Sequence, residues 1–434
     1  MFTGKRINIF IFNAVIIVFS LLLVSLTNIV MAQQEEENLI SSPNSINNTI
    51  QSDNMTALSA SQLTESNLSV PNFDPTSSHT KLKGSVVSIT DALSNNNNFK
   101  ANATSIGSST DIQNDTFQVH IPTTISKEAQ EELGKITVNP STMKAPDPSD
   151  LKGWEEQYRE TESFFINESQ QIKDLYRPNI TETDFAGIQV IDIKPKNWED
   201  NGKVLVYTHG GDYTFGSANS TVGGPILAAN ATGLRVVSIN YTVAPFSEWN
   251  QTTDQVLAVI QALKDRHGYS FDDIAMYGDS AGGGLAAATI LKMRDAGLGM
   301  PAALVLWSPW LDLTASGDTS YTLKNADPIL SYDAFLKNSA HAYADPKDQK
   351  NPYASPIYDN FTKGYSPTLI QGGTKEILLS DFIRLYQALD QNKIPVKLDI
   401  YEGMPHGFQY YYKAPESKLA LSKMNDFLRE HLGY

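Results

Sequence analysis

Gly278-Asp279-Ser280-Ala281-Gly282 places one hydroxyl among residues with little side chain. The pattern G-x-S-x-G lies between an apolar run that reads as a strand and an Ala/Gly-rich run that reads as a helix. Such a strand–turn–helix strains the serine backbone and pushes its hydroxyl outward. Glycines two before and two after remove side chains that would collide. The chemistry on offer is nucleophilic attack by Ser280, with the Ala281 amide at the helix N-terminus facing the negative charge that develops on an attacked carbonyl. Small residues also serve tight helix–strand packing, so the pentapeptide needs partners before it means catalysis.

A serine needs a base, and the base needs an orienting acid. The histidines are His79, His120, His209, His267, His341, His406 and His431. On this kind of turn the partners follow the serine in the order acid, then histidine. That sets aside the first four. His341 falls in an irregular segment and His431 in a terminal helix, whereas His406, in "EGMPHGF", follows the last strand-like run on a Pro/Gly-flanked loop. The acid should end the preceding strand, "PTLIQGG". Glu376 in "GGTKEILLSD" is the first carboxylate there, with Asp381 as the alternative at the start of the next helix. Asp327 in "ADPIL" lies in an insertion rather than at a strand end. A tetrahedral oxyanion needs a second donor, and Gly210 and Gly211 in "YTHGGDYTFGS" can bring backbone amides close. His209, inside that motif, reads as a structural hydrogen-bonder rather than a base.

The elements that must position these residues are legible as an alternation. Strands are expected at 203–209, 235–240, 273–278, 302–309, 367–373 and 396–403, and helices over 247–268 and 280–297. Apolar strands alternating with helices specify an α/β fold with a mostly parallel, doubly wound sheet covered on both faces. Two or three helices, capped by residues such as Ser126 and Ser149, precede the first of these strands. A Tyr- and Asp-rich insertion between Trp310 and Pro367 belongs above the sheet, and Tyr321, Tyr332, Tyr343 and Tyr353 are candidates to line a pocket there or to serve as core.

The chain has 434 residues, a formal charge of −15 and no cysteine. The charge argues against a nucleic-acid partner, and the missing cysteines exclude disulfides, thiolate nucleophiles and cysteine-based zinc sites. Lys5 and Arg6 precede an apolar run from Ile7 to Val30, and Val30-Met31-Ala32 resembles a cleavage site. Residues 1–32 therefore read as a signal peptide or membrane anchor and the protein as exported, secreted or held at the outer face of the cell membrane. Residues 33–125, rich in Asn, Ser and Thr, read as a disordered tether, leaving 126–434 as the catalytic domain. Twelve Asn-X-Ser/Thr triplets run from Asn47 to Asn360.

Six pieces in order, "HGGDYTFGS", "NYTVAPFSEW", "YGDSAGGG", "SPWLDLT", "GGTKEILLSD" and "MPHGF", give the chain from about 125 to 433 a resemblance to the hormone-sensitive-lipase-like branch of the α/β-hydrolases. The resemblance implies a carboxylic-ester hydrolase with an N-terminal helical cap at about 126–175, no metal and no organic cofactor. It assigns Ser280 as nucleophile, His406 as base, and Gly210, Gly211 and Ala281 as oxyanion donors. Short- to medium-chain esters are the implied substrates, and the "GGTKEILLSD" style is similar to relatives described as lactone hydrolases. Asp212 stands where glycine or alanine is usual, either repelling anionic substrates or pointing away. Glu376 stands where many relatives carry aspartate followed by Pro-Leu. Expected partners are a small-molecule ester or lactone and, as an option, a second copy in a homodimer. The alternative is a ligand-binding protein on the same fold that has lost catalysis, or a surface protein whose hydrolase domain serves adhesion.

Overall fold

The computed structural model describes residues 117–434. The expected leader and the tether as far as residue 116 lie outside the described residues.

Eight strands form one sheet: β1 (Asn179–Phe185), β2 (Ile188–Lys194), β3 (Val204–Thr208), β4 (Arg235–Ile239), β5 (Ile274–Asp279), β6 (Ala303–Trp307), β7 (Thr368–Gly373) and β8 (Val396–Tyr401). Their order is β1-β2-β4-β3-β5-β6-β7-β8. The pairs β1–β2 and β2–β4 are antiparallel and all others parallel. Buried on both faces, the central parallel strands β3, β5 and β6 are nearly continuous apolar runs whose alternate residues feed two cores, whereas the edge strand β8 is only partly buried. Val204, Val206, Met276, Leu304 and Leu306 face one; Leu205, Tyr207, Ala275, Tyr277 and Val305 face the other.

The first core is covered by α4 (Trp249–His267), α5 (Ser280–Asp295) and α8 (Leu379–Gln391), the second by α3 (Gly223–Thr232) and α9 (Pro415–Leu432). The amino-terminal helices are α1 (Lys127–Gly134) and α2 (Leu151–Tyr176), and the insertion carries the short helices α6 (Thr319–Thr322) and α7 (Lys337–Tyr343). Among the described residues no helix is long and apolar enough to cross a membrane.

Three local expectations need correction. The first strands are β1 and β2, not the run at 203–209. Strand β1, "NITETDF", is an exposed edge with no apolar alternation to betray it, and its hairpin turns on Ala186 and Gly187, both at positive φ (59° and 83°). Helix α2 is capped by Asp150, which accepts from the Gly153 amide, while Ser149 bonds Asp147. The tether boundary also moves. Phe117, Val119, Ile121 and Ile125 pack with Ala129 and Leu133 of α1 against Tyr401, Met404 and Phe408, so residues 117–125 belong to the folded body.

That third cluster reaches the candidate base, because Met404 and Phe408 flank His406. Ser126 caps α1, its Oγ accepting from the Ala129 amide at 3.1 Å. Its amide and hydroxyl both donate to the Glu416 carboxylate on α9, each at 2.7 Å. The chain's amino-terminal segment thus clamps the loop after β8 to the terminal helix.

Candidate active site

Strand register brings the site together. Thr208, Gly278, Leu306, Ile370 and Leu398 lie side by side across β3, β5, β6, β7 and β8. Each strand then ends within a few residues, and the chain beyond it carries Gly210 and Gly211, Ser280, Ser308, Glu376 and His406 respectively. The carboxyl edge of a parallel sheet is where such folds gather ligand-facing groups.

Strand β5 passes into α5 at Ser280, whose φ is +52°. The turn works only without side chains at its flanks: a Cβ on Gly278 would run into the Gly282 carbonyl oxygen, and one on Gly282 into that of Thr208. The Ala281 amide, in the first turn of α5, has no hydrogen-bond partner among the described residues, as the start of a helix requires.

His406 and Glu376 meet. His406 Nδ1 lies 2.8 Å from Glu376 Oε2, and the glutamate is fully buried. Its other oxygen, Oε1, accepts from the Gly373 amide at 2.6 Å and from Ser308 Oγ at 2.8 Å. Burial works against the His406 cation, but the hydrogen bond and charge of Glu376, with Asp327 and Asp212 beyond, outweigh it and raise the imidazole above its ordinary pKa. Asp381 is placed elsewhere: Oδ2 accepts from the amides of Leu311 and Asp312 at 2.9 and 3.0 Å. Burial and the like charge of Asp312 lift Asp381 to about 8. Asp327 accepts from Ile329, Leu330 and Ile377 amides, tying the insertion to the residue after Glu376.

The oxyanion loop departs from expectation at one position. The Gly210 amide donates to Asp279 Oδ1 at 3.0 Å and is not free to receive a substrate charge. The amides of Gly211, Asp212 and Ala281 have no hydrogen-bond partner among the described residues. Gly211 has φ +115°, and a Cβ there would collide with the Phe215 carbonyl oxygen. Asp212 and Tyr213 follow at φ +52° and +65°. His209 supports the loop: its ring stacks on Tyr241 with centroids 4.1 Å apart, and Nδ1 lies 2.8 Å from the Gly210 carbonyl. Burial lowers its pKa to about 4, keeping it neutral.

Two supporting groups have roles that no local pattern in the sequence announces. Ser308 is fully buried at φ +46°; its Oγ also accepts from the Gly407 amide at 3.2 Å, linking Glu376 to the residue after His406. Asp279 takes the Tyr207 hydroxyl at 2.6 Å as well as the Gly210 amide, and Tyr207 in turn lies 3.2 Å from the Tyr410 hydroxyl. Their motifs are visible in the chain; their roles require register. The insertion tyrosines are mostly framework. Tyr343 stacks on Tyr213 at 3.8 Å, Tyr332 donates to the Leu313 carbonyl and Tyr353 to Asp295, and Tyr321 is exposed. Helix α2 is tied to the loop after the oxyanion motif by Glu162, which accepts from Ser217 at 2.8 Å and Ser220 at 2.5 Å.

Comparison with known proteins agrees with this fold. Residues 205–410 match the α/β-hydrolase fold family. An acetyl-hydrolase of Streptomyces hygroscopicus is 35% identical over 234 residues, 54% of this chain and 77% of that protein. An esterase of Acinetobacter venetianus is 32% identical over 243 residues, 56% of this chain and 79% of its own. Among solved structures, esterase E25 is 26% identical with a TM-score of 0.68, covering 76% of this chain and 99% of that one. An esterase from the bacterial hormone-sensitive lipase family is 28% identical with a TM-score of 0.57, covering 63% and 98%.

Proposed function

The chain belongs to the α/β-hydrolase fold family, among its carboxylesterase and lipase-like serine hydrolases, and from that premise we propose a triad of Ser280, His406 and Glu376 that cleaves short- to medium-chain esters or lactones through an acyl-enzyme. The observation that carries the assignment is the 2.8 Å contact between His406 Nδ1 and the fully buried Glu376. Both sit on loops leaving the same sheet edge as the left-handed Ser280.

In this mechanism His406, neutral and held by Glu376 at Nδ1, takes the Ser280 proton at Nε2 as Oγ attacks the carbonyl carbon. The carbonyl electrons move onto oxygen and are met by the Gly211, Asp212 and Ala281 amides, preorganised donors at a buried site. Collapse expels the alcohol, which takes the proton from His406, and leaves acyl-Ser280. Water, deprotonated by the same imidazole, repeats the addition and releases the acid. For a lactone, alcohol and acid remain one molecule.

The basic-flanked apolar run at residues 7–30 supports export of this activity, and the net charge supports a small-molecule rather than nucleic-acid partner. Rates with p-nitrophenyl esters from acetate to palmitate, beside γ- and δ-lactones, test the substrate range. Turnover concentrated in the shorter esters or the lactones is expected. Turnover confined to the longest chains would contradict it.

A further inference from the structure

Asp212 is the buried carboxylate of the site with nothing to hold. It is 6% exposed and takes part in no hydrogen bond or ion pair through its side chain among the described residues. Its buried counterparts are all occupied: Asp192 by Arg235, Asp279 by Tyr207 and the Gly210 amide, Asp312 by Arg384, Asp327 and Asp381 by backbone amides. Burying a charge without a partner is costly, so such a group calls for a partner that the protein itself does not supply. Its position points to the substrate as that partner, because its carboxyl lies within electrostatic reach of His406 and its own amide, like those of Gly211 and Ala281, has no partner among the described residues. The loop is also fixed in place. Tyr213 beside it stacks on Tyr343, and the Tyr213 carbonyl accepts from the Ala244 amide at 2.8 Å.

We propose that Asp212 is a specificity-determining residue whose carboxylate receives a hydrogen-bond donor of the substrate, a hydroxyl or ammonium group close to the scissile ester, and excludes esters that carry a carboxylate there. The inference rests on the serine-esterase reading and deepens it. A site holding a buried acceptor discriminates strongly against substrates that leave it unpaired, and more strongly against those that meet it with like charge. The titratable groups around it are His406 and Tyr241. Burial lifts the Asp212 carboxyl to about 7, with the His406 charge pulling it back, so the like-charge penalty should switch on as pH rises through neutrality.

The test uses the protein and its Asp212→Asn variant in a pH-stat with ethyl butyrate, ethyl 3-hydroxybutyrate, ethyl 3-aminobutyrate and monoethyl succinate. In the unaltered protein at least one donor-bearing ester is expected to exceed ethyl butyrate in kcat/KM by about tenfold or more, and monoethyl succinate to fall below it by a similar factor. The hydroxy and amino arms tell a neutral donor from a cationic one. Asp212→Asn, which keeps the side-chain shape, should bring succinate to within about threefold of butyrate. A second reading needs no variant: the butyrate-to-succinate ratio of the unaltered protein should widen from about pH 6 to about pH 8, since the succinate carboxylate is already ionised over that range. Ratios that stay flat across substrates and pH, with ester turnover intact, would overturn the role of Asp212 alone. Failure of every ester together with failure of a phosphonate to label Ser280 would overturn the esterase reading and this inference with it.

Discussion

At the scale of single residues, the pair His406–Glu376 makes a prediction about pH. The base must be neutral to act, and Glu376 raises the pKa of His406. The acidic limb of kcat/KM, which reports the free enzyme, is therefore expected above the ordinary histidine value. Glu376→Gln should lower kcat by about 10⁴-fold and move that limb to lower pH; a limb that stays put would remove Glu376 from the base. Ser308 acts one step further out, donating to Glu376 and accepting from Gly407. Ser308→Ala is expected to lower kcat about tenfold or somewhat more, the size of one hydrogen bond to a charged group, with KM within about twofold; steady-state kinetics decide. A fall confined to KM would place Ser308 in substrate binding instead. Ser280 and His406 were visible as candidates because each carries a local signature, small residues around a serine and a Pro/Gly loop after the last strand. Ser308 was not, because its meaning depends on Trp307 pairing with Gln371, a register that no local pattern states. The Gly210 expectation failed for a similar reason: only the fold shows that Asp279 has taken its amide.

At the scale of elements, the central parallel strands announced themselves as nearly continuous apolar runs, and the long amphipathic helix α4 by its period. The elements that escaped lack those signals. Strand β1 is a polar edge, and α3, "GGPILAANAT", opens with two glycines and a proline and is buried along nearly its whole length, so no amphipathic stripe marks it. The amino-terminal clamp was also hidden, since it joins Ser126 to Glu416 across almost the whole domain. Ser126→Ala removes the cap on the Ala129 amide and one of two hydrogen bonds to Glu416. A loss of about 1–2 kcal/mol is expected, read as a lower urea midpoint, with reduced kcat because α1 packs on the residues flanking His406. A variant as stable and as active as the parent would mean that α1 is an ornament on the domain rather than a support of the histidine loop.

At the scale of the molecule, the fold gathers several buried carboxyls behind one sheet edge, and this sets its response to pH. Burial raises Asp327 to about 6, Asp212 to about 7 and Asp381 to about 8. Each holds its proton in the folded state at pH values where the unfolded chain, near 3.8, has lost it. The folded state then binds more protons, so stability falls as pH rises. The contribution of these groups is full below the unfolded value and is lost on rising through about 6, 7 and 8 in turn. Urea midpoints should accordingly decline from about pH 5 to about pH 9, and Asp381→Asn should flatten the upper part of that decline; a midpoint that climbs over the range would contradict the burial of these groups in ionisable form. None of this was legible in the overall charge, which speaks to solubility and to the partners it repels rather than to where individual carboxylates end up.

The proposed triad depends on Ser280 being an armed nucleophile. Turnover of p-nitrophenyl butyrate, combined with labelling by a serine-reactive fluorophosphonate, reads this out in the protein and in Ser280→Ala. One label per chain on Ser280 is expected, with turnover abolished by labelling, and a variant that takes no label and has lost about 10⁴-fold or more in kcat. A folded protein that neither turns over the ester nor takes the label, or a Ser280→Ala variant that does both like its parent, would contradict it and leave a binding protein on a hydrolase scaffold.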